Sequence, residues 1–246
     1  MRIPRIYVDG ALEKDLQIRL DPRAHHHLIN VLRLKSGTQV RVFDGNGTER
    51  VAIITQVDRR GATVTPGDRI PVDTESGLTA GLMQSVLRGD RMDYALQKTV
   101  ELGINDIQPI WTERSERPVQ GSRLERKHIH WRGVVISACE QCGRSRLPRL
   151  RPPLHLADAL ADALADANGK NTFVLDPAAS SGFLDTDEPP EQLTLACGPE
   201  GGLTRHEIEQ CQQAGFRSVR LGPRTLRAET AAVAAMAAAQ TLWGDF

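Results

Sequence analysis

LTLACGPEGGLTRHEIEQ, residues 193–210, and LGPRTLRAETAA, residues 221–232, are the stretches whose reading decides the fold. Leu193–Cys197 is an apolar run of buried-strand length, and Gly198-Pro199-Glu200-Gly201-Gly202 breaks it sharply. Thr204 and Glu207 form a T-x-x-E capping box, which opens a helix that Gly215 can close as its C′ residue. Phe216–Leu221 reads as the next strand, and Gly222-Pro223 ends it because proline cannot donate to a ladder. Strand, glycine turn, helix, strand, glycine loop, helix is α/β patterning. Two loops leaving neighbouring strand ends on one edge of such a sheet make a ligand crevice.

What the loops lack bounds the ligand. No Gly-Lys-Ser/Thr follows the first loop and no G-x-G-x-x-G spacing is present, so neither a Walker-type phosphate cradle nor a dinucleotide fingerprint is found. Glu200 sits inside the turn, where a polyphosphate would meet a negative charge. A neutral or cationic ligand fits better, held by the backbone N–H and C=O groups that glycines leave uncovered. A pair of tight turns with no ligand is the plain alternative.

Working outward, 246 residues suffice for one large or two modest domains with their own cores. Formal net charge is zero, so affinity for nucleic acid has to come from local clustering of charge. Four cysteines do not make a disulfide framework in a chain of this length, which points to a reducing compartment. Met1–Val8 is too short and too charged for the apolar part of a secretory leader. No apolar stretch, Ala231–Ala239 included, reaches bilayer-spanning length. The expectation is a cytoplasmic protein with no membrane segment.

Residues 1–72 read mostly as strands: Arg5–Val8, Leu16–Leu20, Gln39–Phe43, Val51–Val57 and Thr63–Thr65. One helix interrupts them, with Asp21 as N-cap and Pro22 at N1. A small barrel of this kind suits an RNA-binding accessory module, and equally a rigid spacing or dimerisation unit. His25-His26-His27 does not make a metal site, because successive helical residues point about 100° apart. Ile70–Gly77 is the boundary segment. From residue 73 strands alternate with helices, which argues for a parallel sheet. Leu78–Leu87 is its first strand. Asp90 is placed to cap a helix with Met92, Leu96 and Val100 on its apolar stripe, Gly103 ends that helix, and Ile104–Trp111 follows as a strand.

A helix from Ser122 to about Cys142 lies within the densest basic cluster, residues 113–151, with Ile129, Val134, Val135 and Ala138 facing inward. A solvated helix face is the ordinary reading of such charge. The predominance of arginine tilts it towards phosphate contacts. Cys139-x-x-Cys142 lacks the second pair that zinc prefers, and it falls near a helix C-terminus where a thiolate is disfavoured. Ala157–Asn168 reads as a helix closed by Gly169, Thr172–Leu175 as a strand, and Ala178–Glu191 as a long loop beside the pocket. An alanine-rich helix from Leu226 or Glu229 to Leu242 suits close packing or a dimer interface.

GPEGG followed by LGPRTLRAETA resembles the cofactor-binding end of the SPOUT methyltransferases, and most closely the ribosomal RNA uridine-N3 methyltransferases of the ribosomal small subunit methyltransferase E family. Arg2–Val8 (RIPRIYV), Phe43–Gly47 (FDGNG), Lys98–Gly103 (KTVELG) and Glu140–Arg144 (EQCGR) match as well, so the resemblance covers nearly the whole chain. It implies a PUA-like β-barrel over 1–72 and a SPOUT α/β domain over 73–246 with a deep trefoil knot. It also implies S-adenosylmethionine (SAM) as cofactor, a homodimer, and 16S ribosomal RNA or the small ribosomal subunit as partner. Leu175, Gly198, Glu200, Gly201, Leu221, Gly222, Leu226 and Arg227 are then expected around the cofactor, with Leu221 and Leu226 sandwiching the adenine.

For the chemistry, methylating uridine N3 requires loss of the N3–H and stabilisation of an imide anion. Arg227 and Arg144 are expected to position RNA or that anion, Gln141 to hydrogen-bond the base, and Glu229 or Glu140 to take the proton. Arg5, Arg132 and Lys98 complete the expected RNA contacts, and no metal is expected. Thr225 and Ala228 depart from the family pattern, the latter by losing a hydroxyl near the pocket. A non-catalytic RNA-binding or assembly protein is the alternative from another class.

Overall fold

A computed structural model describes residues 3–58, 61–166, 171–182, 190 and 192–246 of the chain. It divides into two units, residues 1–75 with 139–147, and residues 76–138 with 148–246. Sequence reading puts one cut between residues 72 and 73, whereas the first unit here also takes in a segment from far along the chain. Composition shifts mark cuts along the chain and cannot show a segment that returns.

In the first unit, strands β1 (Arg5–Tyr7), β2 (Ile18–Arg19), β3 (Gln39–Phe43), β4 (Glu49–Asp58) and β5 (Gly61–Ile70) form a sheet in the order β1-β3-β4-β5-β2. Only β1 and β3 run parallel. Register shifts between Arg50 and Ala52 and between Ile54 and Gln56 bend the long β4–β5 ribbon, as bulges do, and the sheet curls over one core. Ile6, Val40, Val42, Ile54 and Val64 alternate into that core. Helix α1 (Pro22–His25) begins as expected, with the Asp21 carboxylate accepting from the Ala24 N–H at 2.7 Å. It continues as a π-helical turn, His26–Val31, which the sequence pattern does not announce.

The second unit is one parallel sheet. Its elements are β6 (Thr79–Ser85), α2 (Asp90–Glu101), β7 (Asp106–Trp111), α3 (Ser122–Cys142, whose last turn belongs to the first unit), β8 (Arg149–Leu150), β9 (Leu154–His155), α4 (Leu156–Asp166), β10 (Thr172–Leu175), β11 (Gln192–Cys197), α5 (Arg205–Gln213), β12 (Arg217–Val219) and α6 (Ala228–Trp243). The order is β12-β10-β11-β6-β7-β8, with β9 also on β7, and every pairing is parallel. Parallel strands are covered on both faces, which is why Leu82, Phe173, Val174, Leu195 and Ala196 are all buried. On α6, Ala232, Ala235, Met236 and Ala239 are buried, and the helix packs on α2.

Two helix expectations need correcting. Ile129 is 69% exposed. The buried residues of α3 are Trp131, Val135, Ile136, Ala138 and Cys139; Ile129 shares a direction with Ile136 at about 100° per residue but lies nearer the helix N-terminus, before the buried stretch begins. Asp90 does not cap α2: Gly89, at φ +54°, is the N-cap, and Asp90 stands in the first turn with no capping bond. Its charge there complements the helix dipole. The expected helix stop at Asn168–Gly169 and most of the expected loop Ala178–Glu191 lie outside the described residues, as does Arg2.

Candidate active site

Strands β10, β11 and β12 all end at the same edge of the sheet, and the segments following them enclose a cavity of about 350 Å³. Leu175 to Pro177 after β10, Gly198 to Leu203 after β11, and Arg220 to Gly222 with Arg224 to Leu226 after β12 line it. Ala228 and Ala231 of α6 and Ile208 of α5 close it. The volume is within the roughly 300–1,000 Å³ of small-molecule sites. Every expected cofactor residue except Arg227 is among the lining residues. Ala228, already expected near the pocket, is joined one helical turn on by Ala231, which the sequence motifs did not mark. Its i, i+3 spacing from Ala228 at the start of α6 is the signal that could have found it.

Local chemistry fixes the first loop. The capping box forms in full, with Thr204 Oγ1 accepting from the Glu207 N–H at 3.2 Å and Glu207 Oε2 accepting from the Thr204 N–H at 2.8 Å. The other oxygen of Glu207 accepts from the Glu113 N–H at 2.8 Å, tying in the segment after β7. Arg114 from that segment donates to the Gly201 carbonyl at 2.9 Å. A Cβ at Gly198 would lie 2.9 Å from the Leu203 nitrogen and 3.0 Å from its Cγ, so the turn closes this tightly only with glycine. At Gly202 (φ +69°) and Gly222 (φ +81°) the backbone is left-handed, where a side chain is strained.

Glu200 is not the bare charge that its place in the turn suggests. Its Oε1 accepts from the Arg88 N–H at 3.0 Å and from Arg91 Nη1 at 3.1 Å. Burial pushes its pKa up, but these bonds, one from its own N–H and the Arg91 charge outweigh that and hold it below the ordinary carboxylate value. Repulsion of phosphate by Glu200 is therefore blunted, and what speaks against a phosphate ligand is the missing Lys and Ser/Thr. Nothing local in the sequence pairs Arg91 with a residue 109 positions away.

At the start of α6 stand two of the expected catalytic residues. Arg227 is the N-cap, exposed, with no side-chain capping bond. Glu229 is in the first turn and buried. Its Oε1 lies 4.0 Å from Arg91 Nε, and its buried Oε2 has no hydrogen-bond partner among the described residues.

The expected RNA contacts divide sharply. Arg5 is 7% exposed and Arg144 3%. Arg5 forks onto both oxygens of Glu49 (2.7–3.2 Å) and donates to the carbonyls of Cys139 (2.6 Å) and Arg144 (3.1 Å). Arg144 pairs with Glu75 at 2.8 Å. Both arginines hold the first unit together, and neither presents its guanidinium to a ligand in this structure. Glu140 is likewise occupied, by Arg23 at 2.8 Å and the Tyr7 N–H at 2.9 Å. Lys98 pairs with Glu101 at 2.8 Å, whereas Arg132 on α3 and Gln141, which falls in the first unit, are exposed. Burial raises Cys139, Cys197 and Cys211 to a pKa of about 12, so these thiols stay neutral.

With this geometry in place, likeness to known proteins is informative. Residues 74–240 match the model of an RNA methyltransferase domain, and residues 20–67 that of an RNA methyltransferase PUA domain. Ribosomal RNA small subunit methyltransferase E of Buchnera aphidicola (from Schizaphis graminum) is 32% identical over 244 residues, covering 99% of this chain and 98% of that protein. A Legionella pneumophila methyltransferase, solved in complex with the bound cofactor SAM, superposes with TM-score 0.93 at 35% identity over all of both chains. The ribosomal RNA small subunit methyltransferase E of Neisseria gonorrhoeae, bound to S-adenosylmethionine, does so with TM-score 0.89 at 36% identity, again over all of both chains. The chain therefore belongs to the ribosomal RNA small subunit methyltransferase E family.

Proposed function

We propose that this protein transfers the methyl group of SAM to N3 of a uridine in 16S ribosomal RNA. The observation that carries the reading is the cavity at the ends of β10, β11 and β12, lined by main chain and small or aliphatic side chains. Its residues suit the cofactor. Glycines at 198, 201, 202 and 222 expose peptide groups able to bond an adenine amino group and a ribose, and Leu221 and Leu226 offer aliphatic surface to the purine. When bound, SAM supplies an electrophilic methyl group on a sulfonium carrying a positive charge. No lysine–serine phosphate cradle competes for that space.

The chain's own residues have three tasks: to bind the base, to remove or hold the N3 proton, and to stabilise the anion formed. Arg227 suits the last. Its guanidinium charge adds to the positive end of the α6 dipole, and charge fixed where an anion develops is a large contribution to rate. Glu229 has a buried carboxylate oxygen with spare accepting capacity, which makes it the preferred acceptor over Glu140, whose carboxylate already accepts three hydrogen bonds. Gln141 is assigned to the base and Arg132, with Lys98, to phosphates. Within the same reading, the curled sheet of the first unit is a PUA-like RNA-binding module. The second unit carries a trefoil knot, two copies pair, and the protein works in the cytoplasm.

Small-subunit RNA from cells lacking the gene, incubated with purified protein and SAM, tests the activity. Mass spectrometry of the nucleosides is expected to show one new N3-methyluridine. No methyl incorporation into RNA or subunits, with RNA affinity intact, would instead favour a binding or assembly protein.

A further inference from the structure

The first glycine loop and the start of α6 both border the cavity, and one side chain outside both reaches each of them. Arg91, in the first turn of α2, donates to Glu200 of the first loop at 3.1 Å, and its Nε lies 4.0 Å from Glu229 at the head of α6. The neighbouring Arg88 N–H adds a bond to the same oxygen of Glu200 at 3.0 Å. Arg91 is not among the residues lining the cavity. Its side chain is about half exposed, and its guanidinium lies between two carboxylates, Glu200 partly buried and Glu229 nearly fully so. The carboxylates of the first loop and of α6 repel, and a cation between them turns that repulsion into a tether. Oε2 of Glu229 has no hydrogen-bond partner among the described residues.

We propose that Arg91 is a positioning residue that fixes the first glycine loop against the start of α6, and so sets the affinity for SAM without touching it. This rests on the SAM-dependent reading above. Arg114 holds the next residue of the loop through the Gly201 carbonyl and the Arg88 N–H still bonds Glu200, so losing Arg91 loosens the loop without freeing it.

Steady-state methyl transfer by the full-length protein, titrating SAM and RNA separately, tests this with Arg91→Ala, Arg91→Lys, Glu200→Gln and the double variant Arg91→Ala with Glu200→Gln. For a half-exposed ion pair, KM for SAM should rise roughly 1.5- to fivefold in Arg91→Ala, with KM for RNA unchanged. Arg91→Lys should recover most of the loss. The double variant should be no worse than the weaker single one, because both remove the same contact. An unchanged KM for SAM in Arg91→Ala overturns the proposal, as does an additive double variant. Should Arg91→Ala fail to fold, Glu200→Gln against Arg91→Lys gives the same comparison. Wild-type protein that binds no SAM removes the functional reading itself, whereas wild type that binds and an Arg91→Ala variant that matches it remove only this inference.

Discussion

Arg227 occupies a position that helix physics would give to another residue. N-caps favour Ser, Thr, Asp or Asn, whose side chains bond the first free N–H groups, and a cation at this end meets the positive pole of the dipole. Arg227 makes no capping bond and is exposed, so its removal costs little packing. In Arg227→Ser a serine cap contributes about 1 kcal/mol. Relief of the dipole repulsion adds roughly 0.3–1 kcal/mol. Together they stabilise the fold by about 1–2 kcal/mol, which at roughly 2–4 °C per kcal/mol raises Tm by some 2–8 °C. Losing a fixed positive charge at the developing anion should lower kcat by about 100- to 1,000-fold. Differential scanning calorimetry without cofactor, paired with radiolabelled methyl transfer to small-subunit RNA, reads both. A variant that is inactive and less stable would make Arg227 structural, and one that stays active would remove it from the chemistry.

Other expectations follow from contacts in each unit. Gly198→Ala places a Cβ 2.9 Å from the Leu203 nitrogen, so the loop must shift; SAM affinity by calorimetry should fall at least about tenfold while a loss of about 1–3 kcal/mol leaves the protein folded. Glu49→Gln leaves Arg5 buried without its counter-charge (the pair is at 2.7 Å), and chemical denaturation should show a loss of about 3–5 kcal/mol. Because Glu200 is held below the ordinary value, its carboxylate stabilises the fold fully above that value and ceases to as pH falls through its lowered pKa. The gap in Tm between wild type and Glu200→Gln should accordingly be constant near neutrality and close on the acid side. Thiols raised to about 12 by burial remain protonated at pH 8, so a disulfide reagent should label at most Cys142 in native protein and all four cysteines after denaturation.

Legibility in the sequence followed the range of the interaction. The capping box at Thr204 and Glu207, the Asp21 cap and the glycine stops at Gly103 and Gly215 act within a few residues, and each is found where its motif lies. A crevice between the two loops was readable because loops after parallel strands share an edge and the glycines in them leave main chain uncovered, whereas its individual lining residues followed from the resemblance to the SPOUT methyltransferases. Arg5, Arg144 and Glu140 were not readable as internal partners, since a buried arginine and a phosphate-binding arginine look alike until Glu49, Glu75 and Arg23 are brought beside them. Arg91 escaped notice for the same reason. Its partners, Glu200 and Glu229, are more than a hundred residues away and meet it only through the order of β11, β6 and the helices that follow.

The most direct test of the central claim is titration calorimetry of the purified protein with SAM. Saturable binding of one SAM per chain is expected, competed by S-adenosylhomocysteine, weakened in Gly198→Ala and indifferent to ATP. An absence of binding heat across concentrations that saturate a micromolar site, or displacement of SAM by ATP, would contradict a main-chain pocket for a sulfonium cofactor at the ends of β10, β11 and β12.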